Sequence, residues 1–171
     1  MFHILTAFIT TFAFLSYFAT ATGEGIRYHR IVVTEKHHKE IIFREVYWAR
    51  YVEWFFTTPL LLLDLSLLAG LSGANILVTI VADLIMVLTG LFASFGRGDG
   101  QKWGWYTIAC IAYLTVVYQL AYNGLAAVAG KDSKTKAFYR AIGGYTLLVW
   151  TIYPMFVVLG PLGPQRLLTL L

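Results

Sequence analysis

Five apolar runs of about 20 residues or slightly more, at about 1–21, 46–68, 74–95, 103–128 and 137–159, are separated by short polar or glycine-rich connections. That length is what a helix needs to cross the hydrocarbon of a bilayer. Backbone N–H and C=O groups find no water there, so each run has to satisfy them internally, as a helix does. The pattern predicts an all-α, polytopic membrane bundle of five spans. Composition supports this over a soluble helical protein: 58% of residues are hydrophobic and 13% charged, with mean hydropathy +0.69. The charged share is about half the ordinary one.

The second run carries charge where an ordinary span has none. Along Trp48 to Leu65 lie Arg50, Glu53 and Asp64, with Pro59 between the two carboxylates. On a helix Arg50 and Glu53 share a face, so the guanidinium is expected against the carboxylate. Eleven residues separate Glu53 from Asp64, which returns the side chain to within about 20° of the same face, roughly 16 Å further along. Pro59 removes one backbone hydrogen bond, and Thr57 or Thr58 is expected to re-satisfy the freed carbonyl. A salt bridge with a polar packing contact in a soluble protein is the competing explanation, and the composition weighs against it.

The first run is apolar almost from Met1 and has no basic leader, which reads as a span rather than a signal peptide. Ile26 to Val33, after the turn at Gly23-Glu24-Gly25, alternates loosely and predicts a short hairpin. His29, His37 and His38 lack a repeated ligand spacing, so no metal site is expected. Cys110, the single cysteine, reads as a small buried hydrophobe. Asp83 is the lone acid of the third run, with Met86 and Gly90 on nearly the same face. Trp103, Trp105 and Tyr106 cluster at the start of the fourth, as an interfacial aromatic belt would. The net charge of +4 is spread over connections without aromatic interleaving, so lipid headgroups rather than nucleic acid are the expected neighbours.

From Arg50 to Asp64 the run Arg-Tyr-Val-Glu-Trp-Phe-Phe-Thr-Thr-Pro-Leu-Leu-Leu-Leu-Asp resembles the third helix of microbial rhodopsins, most closely the fungal opsin branch. The resemblance continues through Ala82–Gly90, Lys102–Tyr106 and Trp150–Pro154, and covers about residues 1–160. It implies that the five spans correspond to the family's second to sixth helices. It also implies an extracellular connection over the hairpin and a cytoplasmic one over Lys131 to Arg140. The family's first and seventh helices have no counterpart, so residues 1–160 read as an incomplete rhodopsin-like bundle and 161–171 as a divergent tail.

The same resemblance implies roles. Glu53 falls at the primary proton acceptor and counterion of the retinal Schiff base, Arg50 at the arginine coupling that acceptor to the extracellular side, and Asp64 at the cytoplasmic proton donor. Thr6 matches the threonine that bonds the donor. Asp83, with Thr58 as partner, matches the acid near the ionone end of the chromophore. Trp54, Thr57, Met86, Gly90, Trp105, Trp150 and Tyr153 match retinal-pocket positions, with Trp105 and Trp150 clamping the polyene and Tyr17 and Tyr51 nearer the counterion.

Three departures bear on function. The acceptor is glutamate where proton pumps of the family ordinarily carry aspartate, Val157 replaces an aromatic of the sixth helix, and the retinal lysine of the seventh helix is missing. Lys36, Lys39, Lys102, Lys131, Lys134 and Lys136 all lie in connections or at helix edges. The expectation is a light-driven outward proton pump in the complete protein, with retinal as cofactor and no enzymatic activity. It places the protein among lipids as an integral multi-pass protein of the plasma membrane, with an internal membrane as the alternative, either alone or as a homo-oligomer. A photosensory or slow-photocycle rhodopsin, and an opsin-related membrane protein without chromophore, are the alternatives.

Overall fold

The computed structural model describes residues 2–35, 38–96 and 98–159. Helix α1 (Phe2–Ala21) leads into an antiparallel hairpin of β1 (Arg27–Glu35) and β2 (His38–Val46). Helices α2 (Trp48–Ala69), α3 (Gly73–Phe95) and α4 (Asp99–Tyr118) follow. A π-helical turn, Gln119–Gly124, joins α4 to the short α5 (Leu125–Val128), and α6 (Ser133–Leu159) ends the described chain. The protein is a polytopic helical bundle with one small β element. Among the described residues, four helices, α1, α2, α3 and the joined α4–α5, are long and apolar enough to cross a membrane. Helix α6 opens with Lys134, Lys136 and Arg140 and turns apolar only further along.

Several boundaries differ from those expected from hydropathy. The hairpin pairs Arg27 with Val46 through to Glu35 with His38, so it is longer than 26–33 and delays the start of α2 to Trp48. Backbone pairing extends it beyond the alternating residues. Helices α4 and α6 each begin four residues earlier than the apolar pattern, at Asp99 and Ser133. Both starts are polar turns stabilised locally. Asp99 sits in the first turn of α4, where the helix dipole favours an acid, with Lys102 at 3.8 Å. Asp132 caps α6: its carboxylate accepts from the Thr135 N–H at 3.0 Å and from the Thr135 hydroxyl at 2.6 Å. His37 and the tail 161–171 lie outside the described residues.

The α2–α3 turn is as tight as Gly70 to Gly73 predicts. Gly70 adopts φ +78°, a left-handed conformation that costs glycine least, and its N–H reaches the Leu67 carbonyl at 3.1 Å. The Leu71 N–H returns to the Ser66 carbonyl at 3.0 Å, completing a Schellman cap. Ser72 then caps α3 by accepting from the Asn75 N–H at 3.4 Å. This end of the bundle, opposite the hairpin, also receives the start of α6, and Lys131 lies against Gly70.

The buried core sits at that same end. Leu62, Leu65 and Ala69 of α2 pack with Ala82 of α3, with Val116, Leu120 and Val128 of the fourth span, and with Tyr139 of α6. At the hairpin end, α1 is fastened to α2 by polar contacts. The Ser16 hydroxyl donates to the Ala49 carbonyl at 3.0 Å, and Trp48 Nε1 donates to the Glu24 carbonyl at 3.1 Å. Gly25 lies so close to Thr20 and Ala49 that a side chain there would collide with both.

Candidate functional site

Helix α2 positions the two carboxylates. Glu53 is half-buried in its second turn, beside Ser16 of α1, and Arg50 is its nearest charged neighbour. Arg50 is exposed and lies over the Tyr47 ring, 5.7 Å from its centroid, and among the described residues it forms no ion pair with Glu53. Sharing a face was not enough. Arg50 occupies the first turn of α2 at the aqueous end, where the guanidinium extends outward and gains the ring face. The Tyr47 hydroxyl in turn donates to the Glu45 carboxylate at 2.9 Å, and that hydrogen bond and negative charge push it above its ordinary value of 10.0.

Asp64 lies five residues beyond Pro59 on the same helix. It is half-buried between Leu62 and Leu65, and its Oδ1 has no hydrogen-bond partner. Thr6 does not reach it: the Thr6 hydroxyl donates to the Phe2 carbonyl of its own helix at 3.0 Å. A threonine in a helix has that carbonyl within reach four residues back, and no neighbour on the exposed side of α1 competes for it.

Asp83 is fully buried on α3 and meets Thr58 of α2, with 2.6 Å between Thr58 Oγ1 and Asp83 Oδ2. Thr58 Oγ1 also lies 2.7 Å from the Trp54 carbonyl. One hydroxyl proton faces two acceptors, so both bonds are satisfied together only when Asp83 supplies the second proton. The carbonyl freed by Pro59 belongs to Phe55, whereas Thr58 bonds Trp54, because the hydroxyl reaches four residues back from its own position.

The remaining sequence-predicted residues surround these groups. Thr57 is buried, and Tyr51 meets Trp54 edge-on at 5.3 Å between centroids. Gly90 leaves room that Tyr51 borders, since a Cβ there would stand 3.6 Å from the Tyr51 ring. Met86 is half-buried one turn earlier on α3. Trp105 packs against Phe92 at 5.1 Å, while Trp150 packs against the core cluster, so the two tryptophans hold different partners. Tyr153 lies on α6, and its side chain is outside the described set.

Sequence reasoning missed the residues that tie helices together beside this site. Ser16 passed as one small polar residue in an apolar run. Three tyrosine hydroxyls join the fourth span to α6: Tyr106 to the Pro154 carbonyl at 3.0 Å, Tyr113 to Thr151 Oγ1 at 2.6 Å, and Tyr139 to the Leu120 carbonyl at 2.9 Å. A tyrosine inside a span is the signal that was available, because its hydroxyl requires a partner when buried.

A helical membrane bundle with two separate carboxylates on one span and a buried acid hydrogen-bonded between two spans defines an integral multi-pass protein with ionisable groups inside its spans. The family model for bacteriorhodopsin-like proteins matches residues 1–168, and the chain belongs to that family. It is 46% identical over 163 residues to Opsin-1 of Neurospora crassa, covering 91% of this chain and 53% of that protein. The chain therefore spans about half the length of that relative. Among solved structures it resembles the light-driven proton pump LR (Mac) from Leptosphaeria maculans, with TM-score 0.87 and 57% identity over 93% of this chain and 67% of that one. The light-driven proton pump rhodopsin of Coccomyxa subellipsoidea is also similar, with TM-score 0.80 and 31% identity over 93% of this chain and 67% of that one.

Proposed function

We propose that the complete protein is a retinal-binding, light-driven outward proton pump in which Glu53 accepts the proton, Asp64 donates the replacement, and Arg50 couples the acceptor to the extracellular side. The observation that carries this reading is the contrast along α2. Glu53 is half-buried near Ser16 of α1 and Arg50 of its own helix, whereas Asp64 is half-buried beside Leu62 and Leu65 with one oxygen unpartnered. Burial among apolar neighbours favours the proton-bearing form of a carboxyl, and a nearby cation favours the ionised form. The two carboxylates are too far apart for direct exchange, so each works with a different partner. The similarity to proteins described as light-driven proton pumps supports the same conclusion.

Retinal supplies, when bound, the absorption of light and a protonatable nitrogen. Trp54, Thr57, Met86, Gly90, Trp105, Trp150 and Tyr153 would line its polyene, with Asp83 and Thr58 at its ionone end. The amine for a covalent link does not fit this assignment. Lys102 lies in the first turn of α4 beside Asp99, Lys131 and Lys134 are exposed, and Lys136 lies in the first turn of α6. The steps are accordingly those of this chain's own carboxylates, with residues 1–160 as an incomplete rhodopsin-like bundle, 161–171 as a tail of divergent sequence, and the plasma membrane or an internal membrane as the site of action, among lipids and as a monomer or homo-oligomer.

A photosensory or slow-photocycle rhodopsin is the second reading, favoured by one observation: Glu53 is a methylene longer than the family's usual aspartate, which alters reach and transfer rate. Illumination of cells expressing the full-length protein in unbuffered medium separates the two. Outward pumping acidifies the medium, a protonophore and Glu53→Gln abolish the change, and Asp64→Asn slows return to the dark state. A normally formed pigment with no pH change would remove the pump assignment.

A further inference from the structure

We propose that the opening of α6 is a binding site for an anionic phospholipid, with its phosphate at Lys131 and Lys134 and its acyl chains along one exposed stripe of the same helix.

The first support is an unbalanced charge. Lys131, Lys134, Lys136 and Arg140 fall within ten residues, and Asp132 is the acid among them. Both Asp132 oxygens are taken by Thr135, one by its N–H at 3.0 Å and the other by its hydroxyl at 2.6 Å. Among the described residues none of the four cations forms an ion pair. The α2–α3 turn shares this end of the bundle, and from Leu65 to Asn75 it carries no charged residue. Lys131 and Lys134 are exposed, and Lys131 lies against Gly70 of that turn, so its ammonium stands over an uncharged surface. Cations at the edge of a span attract the phosphates of an anionic leaflet.

The second support is what continues from Lys134 along the helix. Lys134, Phe138, Tyr145, Leu148 and Ile152 follow at intervals of four, seven, three and four residues. That spacing puts all five within about 40° of one line along α6. All five are exposed, Tyr145 by 71% and Leu148 by 60%. Gly144 has open space where a Cβ would stand, so nothing from the bundle covers the surface next to Tyr145. From Phe138 to Ile152 the stripe is about 21 Å long, more than the roughly 15 Å of hydrocarbon in one leaflet. A lysine at the head of such a stripe extends its charge to the phosphate while its methylenes stay with the chains. Lys136 and Arg140 lie on the other side of α6, which leaves this headgroup to Lys131 and Lys134. An acidic protein segment would match the charge and leave the apolar stripe bare, whereas a phospholipid matches both parts.

Native mass spectrometry of the full-length protein, titrated with phosphatidylserine and with phosphatidylcholine of the same chains, tests this and needs neither light nor retinal. The unsubstituted protein is expected to bind phosphatidylserine more tightly. Lys131→Gln/Lys134→Gln is expected to weaken phosphatidylserine about thirtyfold, or roughly fivefold per basic residue, and to leave phosphatidylcholine unchanged. Tyr145→Ala/Leu148→Ala is expected to weaken both lipids, and Lys102→Gln at the hairpin end to change neither. Equal affinity for the two lipids, or a preference that survives Lys131→Gln/Lys134→Gln, overturns the proposal. Displacement of phosphatidylserine by inorganic phosphate or by a poly-glutamate peptide would show that charge alone holds the ligand, and overturns the lipid assignment. A dimer mass that is lost in Tyr145→Ala/Leu148→Ala would give the stripe to a second copy and do the same.

Discussion

The Tyr139 hydroxyl of α6 donates to the Leu120 carbonyl at 2.9 Å, inside the π-helical turn that interrupts the fourth span. A π turn disturbs the regular ladder of carbonyls and amides, and a buried carbonyl released there needs a donor. Tyr139 is 2% exposed and supplies it. Gly124 completes the joint, because a Cβ at that position would run into the Tyr139 hydroxyl.

Removing either half of this joint is therefore expected to weaken the bundle. Tyr139→Phe keeps the ring and deletes the donor, leaving a buried carbonyl unsatisfied at a cost of about 1–3 kcal/mol. Gly124→Ala forces the ring to move, at about 1–3 kcal/mol for overpacking. Denaturation in detergent measures both, and the double variant is expected to cost less than the sum because the two act on one contact.

The Thr58–Asp83 pair makes a second stability prediction. Thr58→Val keeps the shape and removes the hydroxyl, so the fully buried Asp83 loses its hydrogen bond to Thr58. A loss of about 1–3 kcal/mol follows from the unsatisfied group. Thr58→Ser is expected to retain most of the native stability, which separates the hydrogen bond from the methyl packing.

At the start of α6 the prediction concerns pH. Bonds from the Thr135 hydroxyl and N–H hold the Asp132 carboxyl below its ordinary value of 3.8. A depressed folded value means that the cap contributes fully above about pH 4 and is lost as pH falls through the folded value. Exchange of the Thr135 amide is expected to speed up in that acid range. In Asp132→Asn, which keeps a capping oxygen without titrating, it should stay flat.

The lysines carry a chemical prediction. Incubating the 171-residue chain with retinal, followed by borohydride, is expected to leave no retinyl group on Lys102, Lys131, Lys134 or Lys136. An imine needs an amine held away from water, and these lysines lie at helix starts or connections. Mass spectrometry of a reduced retinyl-lysine peptide would show otherwise.

Much of the architecture was legible in the amino-acid sequence because the bilayer imposes a simple rule: a run of apolar residues long enough to cross has to be helical. The sequence also placed Arg50, Glu53 and Asp64 on one helix, since their spacing is a local property of 3.6 residues per turn. Polar starts were less legible. Asp99 and Asp132 extend α4 and α6 beyond the apolar pattern through caps and dipoles, which hydropathy does not register.

Contacts between helices depended on tertiary placement. Helical spacing put Arg50 beside Glu53, but the end of the helix decided that the guanidinium would turn to Tyr47 instead. Family resemblance offered Thr6 to Asp64, yet Thr6 satisfied itself on its own backbone. Ser16 against Ala49, Thr58 against Asp83 and Tyr139 against Leu120 join residues 33, 25 and 19 positions apart. The sequence alone determines which residues share a face of one helix, because that is fixed by local periodicity. Which face meets which neighbour, and where each buried hydroxyl sends its one proton, follows only from packing the helices together, because each donor is contested by acceptors that the chain brings close only when folded.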